Sequence, residues 1–274
     1  MLPPASPMST CVVTGASSGI GAEIARDLAR RGHGVTLVAR REDRLKELAA
    51  EIGASSAVRA EVLATDLADE SARGALAGRV DALGLTVDVL VNNAGFSTMG
   101  PVVTSDRGRE LGMIRTNVEA VVDLCTIFTP GMAERGRGAV LNTASTAAFQ
   151  PLPGQAGYGA SKAFVLSYTH ALRAELKESG VTVTALCPGP VDTGFGQAAG
   201  LTDEEAEASL PKVMWVPAAE VARAAVDGLA QNRAVVIPGL ANKVGAAAGY
   251  LAPRPLLMGL MVKRHPALQS PRSR

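Results

Sequence analysis

The chain has 274 residues, of which 47% are hydrophobic, and its 27 Lys and Arg residues nearly balance its 26 Asp and Glu residues. This length and apolar fraction suit one α/β domain with a large core, and the balanced charge excludes a general attraction to nucleic acid or to an acidic membrane. The three cysteines, Cys11, Cys125 and Cys187, lack metal-ligand or disulfide spacing, which predicts a reducing, cytoplasmic compartment and no metal site.

Strand-like and helix-like segments alternate along the chain after a proline-rich start, residues 1–9, which we predict to be a disordered lead-in. Strands are predicted at residues 10–14, 35–39, 58–65, 87–91, 139–143, 181–186 and 234–237. Helices are predicted at residues 19–31, 42–52, 69–83, 105–128, 156–179 and 218–230. Because strands that alternate with helices pair in parallel through right-handed crossovers, the pattern predicts a single doubly wound, Rossmann-type α/β domain. Its parallel seven-stranded sheet would have helices on both faces.

The remaining segments divide the chain into a main domain at residues 10–239, a pocket lid at about 194–216 and a helical tail at 240–274. The tail carries apolar residues at helical spacing, followed by basic ones. These residues are Leu256, Leu257, Leu260, Met261, Lys263 and Arg264. Pro253 and Pro255 argue against a membrane-spanning helix in the tail. A helix lying on a membrane surface and a helix packed on the lid or on a neighbouring subunit remain open alternatives.

The first strand runs directly into a glycine-rich turn, residues 14–21, with the sequence TGASSGIG. Gly15 allows a tight turn, Gly19 allows the backbone to approach a phosphate, and Gly21 allows the helix to pack closely on the sheet. The N–H groups of the following helix would then bind a pyrophosphate, with Ser17, Ser18 and Ile20 completing the cofactor-binding turn.

The same turn matches G-x-S-x-G, the pattern that would make Ser17 the nucleophile of an α/β-hydrolase. That serine follows a central strand in hydrolases, whereas this turn follows the first predicted strand. No convincing Asp-then-His pair follows either, because His170 lies within a predicted helix and His265 lies in the tail. We therefore reject the hydrolase interpretation.

Two arginines, Arg40 and Arg41, follow the second strand at the position where NAD-binding proteins usually carry an acidic residue. An aspartate there would repel a 2′-phosphate, whereas an arginine binds one through paired hydrogen bonds. Arg40 therefore predicts NADP(H) as the preferred cofactor. The alternative is a solvated helix start, although cations are mildly unfavourable at a helix N-terminus.

Three further residues have the chemistry of a proton-transfer site. Tyr158 and Lys162 lie four residues apart on a predicted helix and so share a face. A free tyrosine has a pKa of about 10, and a nearby ammonium group would lower it toward neutrality. Ser145 follows the fifth strand at the carboxyl edge of the sheet, where its hydroxyl can hold a carbonyl oxygen. The alternative for Tyr158 and Lys162 is an ordinary surface pair.

Taken in order, these motifs resemble a classical short-chain dehydrogenase/reductase from about residue 10 to residue 239. The matching residues are those of the glycine turn, Asn92-Asn93-Ala94-Gly95, Ser145, Tyr158-Gly159-Ala160-Ser161-Lys162 and Pro188-Gly189. The resemblance implies that Tyr158 donates a proton and that Ser145 positions the substrate oxygen. It also implies that Lys162 binds the nicotinamide ribose and that Asn117 holds a water in a proton relay. Alternatively, Asn117 simply bonds to a backbone group.

The resemblance also implies further cofactor contacts. Asp66 would accept from the adenine amino group and Leu67 would back the ring; alternatively, Asp66 is a helix N-cap. Asn93, Ala94 and Gly95 would line the cofactor, whereas Asn92 would tie strands together. A loop would close over the nicotinamide, with the Val191 backbone and the Thr193 hydroxyl contacting the carboxamide. This loop contains Pro188, Gly189, Val191 and Thr193, and the alternative is a proline-punctuated turn.

A mostly apolar set of side chains is expected to form the substrate pocket. These residues are Phe96, Met99, Ala147, Phe149, Leu152, Phe195, Met214 and Trp215. We therefore predict NADPH-dependent reduction of a hydrophobic ketone or aldehyde, such as an oxoacyl or steroid-like compound. Alcohol oxidation with NAD(P) and a non-catalytic NADPH sensor or scaffold remain alternatives. The resemblance further implies a homodimer or homotetramer built on the two long helices, without nucleic acid.

Overall fold

Seven parallel strands form one sheet within residues 2–193 and 211–264, which are the residues that the computed structural model describes. The strands are β1 (Ser9–Thr14), β2 (Val35–Ala39), β3 (Ala60–Ala64), β4 (Thr86–Asn92), β5 (Gly138–Thr143), β6 (Val181–Leu186) and β7 (Val235–Val236). Their order is β3-β2-β1-β4-β5-β6-β7, so the direction of winding reverses between β1 and β4. The predicted doubly wound parallel sheet is confirmed.

Helices cover both faces of this sheet. They are α1 (Gly19–Arg30), α2 (Glu42–Ser56), α3 (Glu70–Gly74), α4 (Leu76–Asp81), α5 (Arg107–Ile114), α6 (Ala120–Glu134), α7 (Ala156–Glu175), α8 (Ala218–Ala230), α9 (Leu240–Leu251) and α10 (Arg254–Arg264). One core packs α1, α2 and α8 on the sheet, and the other packs α4, α6 and α7 on the opposite face. The strands β1, β2, β4, β5 and β6 read as nearly continuous apolar runs because both of their faces are buried, whereas the edge strand β3 is mostly half-buried.

Residues at helical spacing explain which helix faces the sheet. Ile24 and Leu28 lie one turn apart on α1 and are fully buried in the first core. Leu124 on α6 and Val165 on α7 are buried in the second core. Leu2, near the start of the described chain, packs against the first core.

Two helices depart from the sequence-based prediction. The segment predicted as one helix at residues 69–83 is divided at Ala75, next to Gly74, a residue that disfavours helix. The segment predicted as one helix at residues 105–128 begins after the N-cap Asp106, and a π-helical turn, Arg115–Glu119, separates α5 from α6. Such turns insert an extra residue per turn and occur frequently at functional sites.

The tail contains α9 and α10, separated at Pro253, which cannot continue a helix without breaking its hydrogen bonds. Within the part of the chain that the structure describes, no helix is both long enough and apolar enough to cross a membrane. The helix α9 packs against a 3-10 turn, Thr146–Phe149, that follows β5. The tail therefore reaches the carboxyl edge of the sheet.

Candidate active site

The carboxyl ends of β1 and β4 lie side by side where the strand order reverses, which is where ligands bind in open α/β sheets. Thr14 joins the two strand ends: its hydroxyl donates to the Val91 carbonyl at 3.1 Å and accepts from the N–H groups of Asn93 and Ala94 at 2.9 and 3.0 Å. The amide of Asn93 donates back to the Thr14 carbonyl at 3.1 Å. The predicted cofactor loop after β4 is thus fastened to the glycine turn.

The glycine turn requires glycine at each predicted position. Gly15 and Gly19 have φ angles of +68° and +57°, which side chains rarely adopt, and a Cβ on Gly21 would collide with the Gly15 carbonyl. The N-cap of α1, Ser18, makes no side-chain capping hydrogen bond, so it leaves the first N–H groups of α1 to a ligand. Ile20 anchors the turn by packing against the first core. The turn fits an anionic group such as a pyrophosphate.

Two arginines stand beside this turn, but only one contacts it in the structure. The Arg41 guanidinium donates to the hydroxyls of Ser17 and Ser18 at 3.0 and 2.8 Å. Arg40, which the sequence analysis preferred, is exposed. The sequence-based prediction named Arg40 alone as the phosphate-binding residue, although Arg41 follows it directly and could have been included. The glycine turn therefore carries a cation where a 2′-phosphate would need one.

The predicted adenine contacts lie after β3. Asp66 is exposed and accepts from the Ala68 N–H at 3.0 Å. The alternative of an Asp66 N-cap is wrong, because Asp69 caps α3 by accepting from two backbone N–H groups of the first turn. Leu67 is only 5% exposed and packs in the second core, which leaves little of its side chain for contact with a ring. Its carbonyl accepts from the buried Arg73 at 2.8 Å.

The predicted catalytic side chains converge at the carboxyl end of β5. Ser145, just beyond β5, is buried and forms a hydrogen bond with Tyr158 of α7. The Ser145 hydroxyl also accepts from the Ala147 N–H at 3.1 Å. Lys162 lies 5.8 Å from the centre of the Tyr158 ring, measured from its Nζ, and donates to the Thr143 carbonyl at 2.9 Å. The phenol, the amine and the alcohol therefore meet in one place, as their spacing predicted.

Burial dominates the protonation of this group. It raises the pKa of Tyr158, and the hydrogen bond with Ser145 only partly opposes that rise. Burial lowers the pKa of Lys162 to about 8. The pKa of Tyr158 therefore shifts in the direction opposite to the predicted one, because the loss of solvent around the phenolate is the largest cause of the shift. A raised pKa keeps the phenol protonated near neutrality.

Asn117 lies in the π-helical turn and is 1% exposed. Its Oδ1 accepts from the Phe96 N–H at 3.1 Å, and its Nδ2 donates to the Phe96 carbonyl at 3.0 Å and to Ser161 Oγ at 3.1 Å. A Cβ added to Gly95 would lie 2.9 Å from Asn117 Oδ1 and 3.4 Å from Lys162 Nζ, so these two side chains share one corner of the site. The backbone-bonding alternative for Asn117 is confirmed.

Asn92 was predicted to tie strands together instead of contacting the cofactor. Its Nδ2 donates to the Asn142 Oδ1 at 2.9 Å and to the Cys125 Sγ at 3.3 Å. Because Asn92 ends β4 and Asn142 lies in β5, the pair ties neighbouring strands together. This prediction is confirmed.

The loop after β6 closes the site on the other side. The Pro188 carbonyl accepts from the Ser145 hydroxyl at 3.4 Å, which brings this loop against the catalytic group. Thr193 lies so close to Gly19 that a Cβ on the glycine would come within 2.8 Å of the threonine Cβ. Val191 packs against the first core. The glycine turn and this loop therefore face each other across the crevice.

Asn242 of α9 is a site residue that the sequence analysis missed. It is fully buried, and its Nδ2 donates to the carbonyls of Met214 and Pro238 at 2.9 and 3.0 Å. Gly189 packs directly on the Asn242 side chain, whose Oδ1 is buried without a hydrogen-bond partner among the described residues. One asparagine thus holds together the tail, the lid segment and the loop after β6. A lone asparagine in a helix gives little sequence signal of such a role.

The expected substrate pocket is only partly within the described residues, because Phe195 and most of the lid lie outside them. The described members are apolar and half-buried, except for Ala147, which is buried. They are Phe96, Met99, Ala147, Phe149, Leu152, Met214 and Trp215. The helix α9 adds a wall, since a Cβ on Gly245 would lie 3.5 Å from the Met214 Cε. The tail therefore packs on the lid segment.

Comparison with known proteins identifies relatives of this fold and site. Residues 9–204 match the family model described as short chain dehydrogenase. Sulfoacetaldehyde reductase 2 of Chromohalobacter salexigens is 39% identical over 186 residues, which cover 67% of this chain and 73% of that protein. A very-long-chain 3-oxoacyl-CoA reductase of Mycosarcoma maydis is 42% identical over 183 residues, which cover 65% of this chain and 52% of that protein. The match to a short chain dehydrogenase of Pseudocercospora fijiensis, 38% identical, covers 68% of this chain and 61% of that protein.

Solved structures match over more of the chain. A short-chain dehydrogenase from Sphingobium yanoikuyae in complex with NADPH is 34% identical, with a TM-score of 0.78, and the match covers 97% of this chain and 100% of that one. A bulky-bulky ketone specific alcohol dehydrogenase from Comamonas testosteroni is 29% identical, with a TM-score of 0.74, and the match covers 93% of this chain and 95% of that one. These similarities include the tail as well as the sheet.

Proposed function

Because the chain belongs to the short-chain dehydrogenase/reductase family, we propose that it is an NADPH-dependent reductase of carbonyl compounds in which Tyr158 donates the proton. The observation that carries this proposal is the hydrogen bond between Ser145 and Tyr158 beside the buried Lys162. Binding of a dinucleotide alone requires no proton donor, so this group argues against a sensor or scaffold.

The dinucleotide would lie across the carboxyl ends of β1 and β4. Its pyrophosphate would meet the N–H groups at the start of α1, and Arg40 and Arg41 would bind its 2′-phosphate. Asp66, Asn93, Ala94 and Gly95 would line its length. Pro188, Gly189, Val191 and Thr193 would enclose its nicotinamide end. When bound, the reduced cofactor supplies a hydride for the carbonyl carbon.

The residues of this chain would supply the rest of the reaction. Ser145 would hold the carbonyl oxygen by a hydrogen bond, and Tyr158 would protonate that oxygen as negative charge develops on it. Burial raises the pKa of Tyr158, so the phenol carries the proton that this step requires. Lys162, held by the Thr143 carbonyl, would orient the ribose and place a cation near the forming phenolate. Asn117 would position the loop at Phe96 beside this group.

For the substrate, we propose a hydrophobic ketone or aldehyde, because the described pocket residues are mostly apolar. The relatives are named for different substrates: one is a very-long-chain 3-oxoacyl-CoA reductase and another is a sulfoacetaldehyde reductase. The half-buried Phe96, Phe149 and Trp215 support the bulky apolar class. A panel of oxoacyl, steroid and sugar carbonyls tests this, and turnover of the sugars alone would contradict it.

The decisive test of the reaction is Tyr158→Phe. Removing one hydroxyl should lower turnover with NADPH by about 10²–10⁴-fold, the contribution of a positioned general acid, while NADPH still binds. Tyr168→Phe is the matched control, since Tyr168 lies on the same helix, stacks on Phe164 and has its hydroxyl at Cys125 instead of at Ser145. Cofactor binding is measured by fluorescence titration. Turnover of Tyr158→Phe equal to that of the control would refute the proton-donor role.

We also propose an oligomer built on α7 and the helices before it, an expectation that comes from the family. In support, Phe164 on α7 is 42% exposed and stacks on the half-buried Tyr168 with ring centres 5.9 Å apart, which leaves an exposed aromatic ring on this helix. Light scattering of the protein should give the mass of a dimer or tetramer. The mass of a single chain would overturn this part of the proposal.

A further inference from the structure

The tail helix α9 has two opposite faces of different character. Its inner face carries Asn242, Ala246 and Gly249, which are buried against the body of the protein. Half a turn away lies an apolar row of four residues at helical spacing, which we name the tail stripe. The tail stripe consists of Leu240, Val244, Ala247 and Leu251.

The tail stripe is exposed to a degree that is unusual for large apolar side chains. Leu240 and Leu251 are each 78% exposed, and Val244 is 63% exposed. Lys243 and Tyr250 lie on one flank of the stripe, and both are exposed. Helices that lie in a membrane interface have this arrangement: an apolar face bordered by aromatic and cationic residues. A long lysine side chain there reaches the headgroups while its stem stays apolar.

The charged residues are also distributed unevenly between the tail and the rest of the chain. After Gly239 the sequence contains six basic residues and no acidic one. They are Lys243, Arg254, Lys263, Arg264, Arg272 and Arg274. The rest of the chain is therefore net negative, although the whole chain is nearly neutral. The structure describes the side chains of two of them, Lys243 and Arg254, and both are exposed. Because basic residues next to an apolar helix face attract anionic lipid, the excess of positive charge in the tail sequence is informative where the total charge is not.

We propose that the tail stripe docks on a bilayer containing anionic phospholipid, with α9 parallel to the surface. A second copy of the chain fits less well, since a symmetric pairing of α9 with itself would bring Lys243 and Arg254 of one copy near those of the other. The acyl region would cover Leu240, Val244 and Leu251. The headgroups would meet Lys243 and the exposed Arg254, whose guanidinium also donates to the Phe149 carbonyl at 3.5 Å. This proposal does not depend on the reaction, because none of these side chains belongs to the catalytic group.

Flotation with vesicles tests the proposal on the full chain. Vesicles of phosphatidylglycerol and phosphatidylcholine should bind the protein at low salt, and vesicles of pure phosphatidylcholine should bind it much less. The stripe variant Leu240→Gln/Val244→Gln/Leu251→Gln should weaken binding at least tenfold, because it removes most of the apolar contact. The charge variant Lys243→Gln/Arg254→Gln should weaken binding to the anionic vesicles by about fivefold for each charge removed.

The matched control is Val102→Gln/Val103→Gln, which replaces valines outside the tail that are 70% and 91% exposed. It should bind vesicles like the unchanged protein. Circular dichroism establishes that each variant is folded, and turnover of a water-soluble carbonyl should be the same in the stripe variant. Equal binding by the stripe variant and the unchanged protein would overturn the proposal. A lack of binding to anionic vesicles would also overturn it. So would a stripe variant that binds vesicles normally but has a different mass by light scattering, because the stripe would then contact another copy of the chain.

Discussion

The two ends of the candidate site are built in different ways. At the phosphate end, backbone N–H groups and two exposed arginines surround a turn that depends on glycine. At the proton end, Ser145 and Lys162 are buried and bonded to neighbouring side chains or carbonyls. We infer that changes at the phosphate end alter cofactor choice with little effect on folding, whereas changes at the proton end alter both chemistry and stability.

Lys162→Met should break the proton end most severely. It preserves the length of the side chain but removes the charge beside Tyr158, and turnover should fall by about 10²–10⁴-fold. Lys177→Met, at an exposed position beyond the same helix, is the matched control. Steady-state kinetics with saturating NADPH measures the difference. Turnover within a few-fold of the control would mean that the ammonium has no part in the reaction.

The same variant should reveal the cost of burying this amine. Burial lowers the pKa of Lys162 from 10.5 to about 8 in the folded protein, so between these values the unfolded chain binds more protons than the folded one. The free energy of unfolding of the unchanged protein, relative to Lys162→Met, should therefore rise as the pH increases from about 8 to 10.5. The full difference is about 3 kcal/mol. Chemical denaturation across this pH range measures it, and a difference independent of pH would contradict the argument.

Arg73 extends the comparison, because it contacts segments near both ends of the site: the loop after β3, and residues at and after the π-helical turn. It is 1% exposed, donates to the Leu67 carbonyl, and pairs with Glu119 at 2.6 Å and with Asp123 at 2.8 Å, next to the π-helical turn of Asn117. Arg73→Met should destabilise the fold by about 2–3 kcal/mol, chiefly because it leaves the buried Leu67 carbonyl without its donor, whereas Glu119 and Asp123 are 47% and 29% exposed and can be hydrated.

The control for Arg73 is Arg44→Met. Arg44 and its partner Glu47 are both exposed, and such surface pairs contribute about 0–1 kcal/mol. Urea denaturation compares the two variants. Equal stability of the two variants would show that the buried cluster around Arg73 does not stabilise the fold.

Asn242→Ala should have a smaller effect than Arg73→Met, of about 2 kcal/mol, because two carbonyls lose one donor. Its kinetic effect is more informative. The variant should raise the KM for the carbonyl substrate more than it lowers kcat, since Met214 of the lid segment loses its support while Ser145 and Tyr158 do not. Gln231→Ala, at the exposed C-terminal end of α8 outside the site, is the control. An unchanged KM would remove Asn242 from the site.

The sequence predicted the parallel sheet, the glycine turn and the meeting of Tyr158, Lys162 and Ser145, because these features follow from local patterns: apolar strands, glycines at strict positions and helical spacing. It did not predict the π-helical turn, because a shift of one residue in the apolar pattern resembles the ordinary irregularity of a single helix. The role of Asn242 depends on contacts between segments far apart in the chain. The direction of the pKa shift of Tyr158 depends on burial, which side-chain spacing does not report.

Arg41→Ala should give the smallest effect and should sharpen the comparison at the phosphate end. Arg41 is exposed and bonded to Ser17 and Ser18, so its loss should cost about 1 kcal/mol of NADPH binding, or roughly fivefold, while NADH binding stays nearly constant. Arg40→Ala tests the other arginine, and Arg44→Ala one turn further on is the control for a general loss of charge. Ratios of kcat/KM for the two cofactors separate the three variants. If Arg40→Ala lowers the NADPH preference and Arg41→Ala does not, the 2′-phosphate is bound by the residue that the sequence favoured, and the hydrogen bonds of Arg41 serve only to hold the turn.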